Sequence, residues 1–203
     1  MATATLAART QPVWRRILRA PFTGETWRRA AYLLIALPAA LLCLVLALVG
    51  SPAAGRIQRS LARRLLGVEV PEPDRASKPL ALAHAVLTLP LTLIATVVTG
   101  FVWFVMLINL GYPLRPDSDQ PADYAQSWGG PTLAGAWGVH ILGGTVLVGL
   151  LMPWIVKGFT ALQGRLVRAF HGADRAGLRS SALIALVVAA GCVLLSIPII
   201  HQF

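Results

Sequence analysis

Charge is scarce in this chain of 203 residues. Asp, Glu, Lys and Arg make up 13% of it, and 56% is hydrophobic. A soluble domain carries about 25% charged residues and lacks apolar runs of about 20, so that class is excluded and an integral membrane protein is expected. Cysteine is scarcer still. Cys43 and Cys192 each lie inside an apolar run, with no CxxC, which argues against metal or redox centres built on cysteine. Lys78 and Lys157 are the only lysines among eighteen basic residues. With the Ala, Leu and Gly bias, that usage is expected of a GC-rich, bacterial genome. Acidic residues avoid the apolar runs, so a carboxylate pathway for protons or ions lacks its usual signature. No HExxH, GxSxG or Walker loop occurs, so neither an enzyme nor a cofactor or metal is expected. The net charge of +10 is gathered between the apolar runs. It therefore reports on topology, and no nucleic-acid partner is expected, because no basic soluble domain with base-reading residues is present.

Four apolar runs are present, at about 30–50, 80–110, 133–156 and 181–201. A helix needs about 20 residues to cross a hydrocarbon core of about 30 Å, and all four qualify. The first is too long for the apolar region of a signal peptide, which runs to about 15 residues. The fold class expected is an all-α membrane protein of about four hydrophobic helices with basic amphipathic interfacial helices.

Segments 1–29, 51–80, 111–132 and 157–180 hold six, six, one and five basic residues, which accounts for all eighteen. Basic segments favour the cytoplasm. Runs two to four then order themselves, with 51–80 and 157–180 inside and 111–132 outside the cell membrane. Run one is the misfit, because it joins two equally basic segments. Either it spans, or it enters and returns near Pro38 with its backbone buried against protein. Its path and the side of the N-terminus stay open.

The basic stretch has an echo. "IQRSLARRLLG" (57–67) aligns without gaps on "LQGRLVRAFHG" (162–172), matching Gln58 with Gln163, Leu61 with Leu166, Arg63 with Arg168 and Gly67 with Gly172. Upstream, "LLIALPAALL" (33–42) resembles "AVLTLPLTLI" (85–94). The shared order, a Leu-Pro helix and then a basic helix ending in Gly, suggests a weak internal duplication. As a helix, 57–65 puts Ile57, Leu61 and Leu65 on one face and Arg56, Arg59 and Arg63 on another. Such helices lie in the interface against anionic headgroups. Arg59, Arg63, Arg64, Arg165 and Arg168 are therefore candidate contacts for lipid headgroups or a partner. Trp14, Ile17 and Leu18, with Arg15, Arg16 and Arg19, form a similar N-terminal segment.

Four stretches, "RAPFTGETWRRAAYLLIALP", "LARRLLGVEVPEP", "NLGYPLRP" and "LMPWIVKGFTALQGRLVRAFHG", resemble the actinobacterial sensor-domain family. Its members are multi-pass membrane modules often found N-terminal to histidine kinases and sometimes standing alone. The resemblance covers about residues 18–175. It implies a signalling role exercised through another chain, because no kinase glycine motif is present and nothing around His171 resembles a phosphoacceptor helix. In the family two membrane helices usually precede the "ARRLLG" helix; here one run does. The chain divides into a basic N-terminal segment (1–29), a sensor-type membrane domain (30–176) and an additional C-terminal transmembrane helix (177–203).

Among single residues, His140 lies inside run three and is a candidate for pH or ligand sensing, or a neutral ring bonded to a neighbouring carbonyl. His84, near the start of run two, is expected to be structural, and Asn109 and Tyr112 to mark the outer boundary. In the outer segment, Asp117, Asp119, Asp123, Tyr124 and Trp128 could meet a cation or cationic peptide. Their spacing is not that of a calcium loop, and a solvated loop with an aromatic belt is the plainer account. Ala134 with Gly138, and Thr145 with Gly149, suit close helix packing in the bundle or in a homo-oligomer. The function expected is a non-enzymatic membrane sensor or regulatory subunit, with a histidine kinase, regulator or transporter as partner in trans. The alternative is an accessory or structural subunit of a membrane transporter.

Overall fold

In a computed structural model, residues 12–115, 128–175 and 177–200 are described, with side chains up to residue 194. All regular elements among them are helical. The short helix α1 (Val13–Arg19) leads through a tight turn into α2 (Gly24–Leu48). Then come α3 (Ala53–Leu61), drawn out by a wide turn to Leu66, and α4 (Lys78–Leu110). Helix α5 (Leu133–His140) passes through a π turn at Ile141–Leu147 into α6 (Val148–His171), and α7 (Leu178–Ile200) follows. Three stretches are long and apolar enough to cross a membrane: α2, α4 and the continuous Leu133–His171 rod. α7 is apolar over Leu178–Leu194. The chain is an all-α membrane protein.

Run one is a single helix. Pro38 sits inside α2 without ending it, since a proline removes one backbone bond and the turns on either side persist. The enter-and-return path is thereby ruled out. α2 ends at Gly50, whose φ of 71° supports a cap in which Ser51 N–H reaches Leu46 O at 2.8 Å and Gly50 N–H reaches Ala47 O at 3.0 Å.

A second difference concerns 162–172. It was expected as a separate interfacial helix but is the last part of α6, continuous with run three. Lys157, Arg165 and Arg168 break the apolar pattern without breaking the helix, because arginine and lysine are good helix formers. The first strong stop is Gly172.

The chain forms two compact units, one of 1–27 with 100–155 and the other of 28–99 with 156–203. These boundaries cut across the segments drawn from sequence. In the second unit α2, α4, α6 and α7 pack around two cores. Leu91, Leu162, Leu166, Phe170 and Ala185 form one, and Cys43, Ala47, Ala54 and Ala85 the other. Polar bonds fix the levels of the helices. Thr96 Oγ1 donates to Leu33 O at 3.0 Å, Gln163 Nε2 to Thr92 Oγ1 at 2.9 Å, and Arg29 Nη1 to Thr160 Oγ1 at 2.8 Å. Because Arg29 opens the apolar run and bonds Thr160, the stretch after Lys157 lies alongside α2. Small side chains, Ala36, Ala40, Cys43 and Ala47, form the buried stripe of α2 and permit close helix approach.

The duplicated elements share one property. Gln58 and Gln163 are both buried. Gln58 lies against the Cys43 thiol on α2 and Gln163 bonds Thr92 on α4, so each glutamine meets the Leu-Pro helix of its own copy. In α3 the buried stripe is Ala54, Gln58 and Ala62, while Ile57, Leu61 and Leu65 are half-buried.

In the first unit, Trp27 and Trp103 pack at 4.8 Å. Thr145 Oγ1 donates to Met106 O at 3.2 Å, and Gly149 faces the Met106 methyl. Ala134 is exposed and Gly138 has open space beside it. Of the two small-residue pairs, only Thr145 with Gly149 is used for packing here.

Candidate functional site

In the second unit the chain leaves α2 at Gly50, turns, and enters α3. The loop 67–77 then returns to the start of α4 at Lys78, beside the last turn of α6. A cavity of about 630 Å³ lies at this junction, and Arg56, Arg59, Glu72, Asp74, Lys78 and His171 supply its charged and titratable lining. The last turn of α6 meets the polar loops here.

Arg59 organises the site. Its Nη2 is bonded to the Glu72 carboxylate, and its Nη1 donates to His171 O at 3.5 Å. Its side chain is 14% exposed against 72% for Glu72, so the arginine is the anchored partner and the carboxylate comes to it. This links α3, the loop and the end of α6. Gly55 makes the approach possible. A Cβ there would stand 3.1 Å from His171 Nδ1 and 3.3 Å from Arg59 Nη1.

His171 is 6% exposed, and its Nε2 has no hydrogen-bond partner. His84 from α4 meets it edge-on at 4.4 Å, is itself buried, and also has an unpartnered Nε2. Phe170 packs on His84 at 5.5 Å. On the other side, the Lys78 ammonium lies against Gly50, where the carbonyl end of the α2 dipole favours a cation. Arg56 and Lys78 are exposed.

A second polar cluster belongs to the first unit. His140 Nδ1 and Asn109 Oδ1 are 2.6 Å apart, and Asn109 Nδ2 donates to Val105 O at 2.7 Å. Tyr112 stacks on His140 at 4.2 Å and carries Arg115 on its ring at 5.1 Å. Gly144 leaves the space that the Asn109 amide fills. His140, Asn109 and Tyr112, weighed separately in the sequence, are brought together here. The ring is held by a neighbouring carbonyl oxygen, that of a side chain.

Of the other candidates, Asp117, Asp119, Asp123 and Tyr124 lie outside the described residues. Trp128 is 98% exposed. Arg63, Arg64, Arg165 and Arg168 are exposed, whereas Arg59 is turned inward. Sequence reasoning missed the joint role of Arg56, Glu72, Asp74, Lys78 and His171. The available signal was the mixed-charge, proline-rich loop "VPEPDRASKP" directly after a basic helix. Among the described residues no cluster of His, Cys, Asp and Glu is placed to hold a metal ion. No family model, curated protein or solved structure matches the chain.

Proposed function

We propose that this chain is a non-enzymatic membrane sensor or regulatory subunit of the actinobacterial sensor-domain type. It passes an envelope or membrane cue to a partner histidine kinase, regulator or transporter. The observation that supports this is the meeting of three chain segments at one charged cavity through Arg59, Glu72 and His171. A ligand or partner that engages these charges competes with the bonds joining α3, the loop and α6. Occupancy then biases how those pieces are held, which is what a regulatory site requires.

In this proposal the protein is a multi-pass protein of the cell membrane, with 51–80 and 157–180 cytoplasmic and 111–132 extracellular. The six and five basic residues of the first two segments favour that side. With α2 a single helix, crossing by α2 places the N-terminal segment on the opposite side. Exposed Arg63, Arg64, Arg165 and Arg168 serve anionic headgroups or the partner.

The test is deletion of the gene under envelope stress, with affinity purification of the full chain from membranes. Changed output from a neighbouring kinase or regulator, and its copurification, are expected. Unchanged output from every neighbouring regulator sinks the proposal. Copurification with an ATPase and a permease instead assigns the chain to a transporter as an accessory subunit.

A further inference from the structure

Two of the cavity's three cations are uncommitted. Arg59 is held by Glu72 and the His171 carbonyl. Arg56 and Lys78 have neither a hydrogen bond nor an ion pair among the described residues, yet both line the same cavity. The first turns of α3 and α4 border it too, through Gly55 and Lys78; the amides of Ala53, Arg56 and Ala81 are already bonded, to Ser51 Oγ, Pro52 O and Ser77 O, and Pro52 and Pro79 carry none. Helix N-termini carry unsatisfied amides and the positive end of the dipole, and they suit an oxyanion. A third feature is independent of these. His171 borders the cavity, is 94% buried as the complement of its 6% exposure, and keeps an unpartnered ring nitrogen.

We infer that this cavity binds the anionic phosphate group of a phosphodiester. Arg56 and Lys78 provide the charge, and the Gly55 and Lys78 amides, which border the cavity and keep no backbone partner among the described residues, add donors. The charge balance favours a diester over a multiply charged phosphate, because Asp74 also lines the site and no ion pair offsets it among the described residues. Two free cations against one free carboxylate match a single negative charge. The cavity's place at the polar end of α2 allows two sources with the same chemistry. One is the headgroup of a membrane phospholipid, and the other is a soluble phosphodiester. The inference rests on the regulatory reading only for its consequence, since binding is measured on purified protein and regulator output in cells.

The experiment uses the full chain in detergent and in nanodiscs of phosphatidylcholine with phosphatidylglycerol. Native mass spectrometry reads the phospholipid it retains. Titration with glycerophosphoglycerol, the deacylated headgroup, reads soluble binding by phosphorus NMR. The Arg56→Gln/Lys78→Gln variant is expected to lose binding by about tenfold or more, as befits two charge-assisted contacts. Arg175→Gln/Arg179→Gln, equally cationic but outside the cavity, keeps it. Retained lipid without soluble binding identifies the source as the membrane, and soluble binding without retained lipid identifies a free ligand. If the wild-type chain shows no saturable binding of either probe, or if both variant pairs lose binding equally, the inference is overturned. The wild-type arm decides this even if the cavity variant folds poorly.

Discussion

The rings of His84 and His171 meet edge-on at 4.4 Å, and neither Nε2 has a hydrogen-bond partner. One comes from α4 and the other from the end of α6, so the contact ties two helices together at the border of the charged cavity.

Gly55 has little room for a side chain, since its Cβ would stand 3.1 Å from His171 Nδ1 and 3.3 Å from Arg59 Nη1. Gly55→Val is expected to cost about 1–3 kcal/mol as an overpacking change. Gly158 lies within α6 with nothing within 4 Å of its Cβ position. Gly158→Ala is expected to be neutral, or to stabilise by up to about 1 kcal/mol through helix propensity. Paired Tm measurements check both, and equal effects would refute the crowding at Gly55.

Arg59 and Glu72 are unequal partners. Glu72→Gln removes an exposed carboxylate and is expected to cost about 1 kcal/mol or less. Arg59→Met keeps the apolar stem but also removes the bond to His171 O, and is expected to cost about 2–3 kcal/mol. Denaturant unfolding of the two variants and their double mutant separates these contributions. Equal single costs would make the carboxylate, and not the α6 carbonyl, the anchor.

In the first unit, Asn109 is bonded twice, to His140 and to Val105 O. Asn109→Leu is expected to destabilise by about 1–3 kcal/mol, because it leaves a partly buried imidazole nitrogen without its partner. Gly144→Ala is expected to act through the same amide, so a double-mutant cycle with Asn109→Leu should show clear non-additivity. Strict additivity would separate the two positions.

The helices were legible in the sequence because bilayer crossing demands long apolar runs, and those at about 30–50, 80–110 and 133–156 satisfy that locally. Pro38 and Lys157 were harder. Each interrupts a pattern without changing backbone conformation, so a charge count suggested a return at the first and a helix boundary at the second. The cavity could not be seen in the pattern, because Arg59 and His171 are 112 positions apart and only tertiary packing brings them together. Asn109 and His140 were visible as polar residues inside apolar runs, although the register that pairs them depends on how α4 and α5 pack. The echo of Gln58 in Gln163 was visible as identity. That both are buried against their own Leu-Pro helix was not, because glutamine is usually a surface residue.

The bond from Arg29 to Thr160 joins residues 131 positions apart. At about 5–20 residues per second, a ribosome needs roughly 7–26 s to go from the first to the second. During that interval α2 is complete as a helix while the hydroxyl that will receive Arg29 does not yet exist. The Arg29–Thr160 bond therefore forms only after most of the chain has been made. Assembly of the second unit is thus a late event of biosynthesis, gated by the arrival of α6.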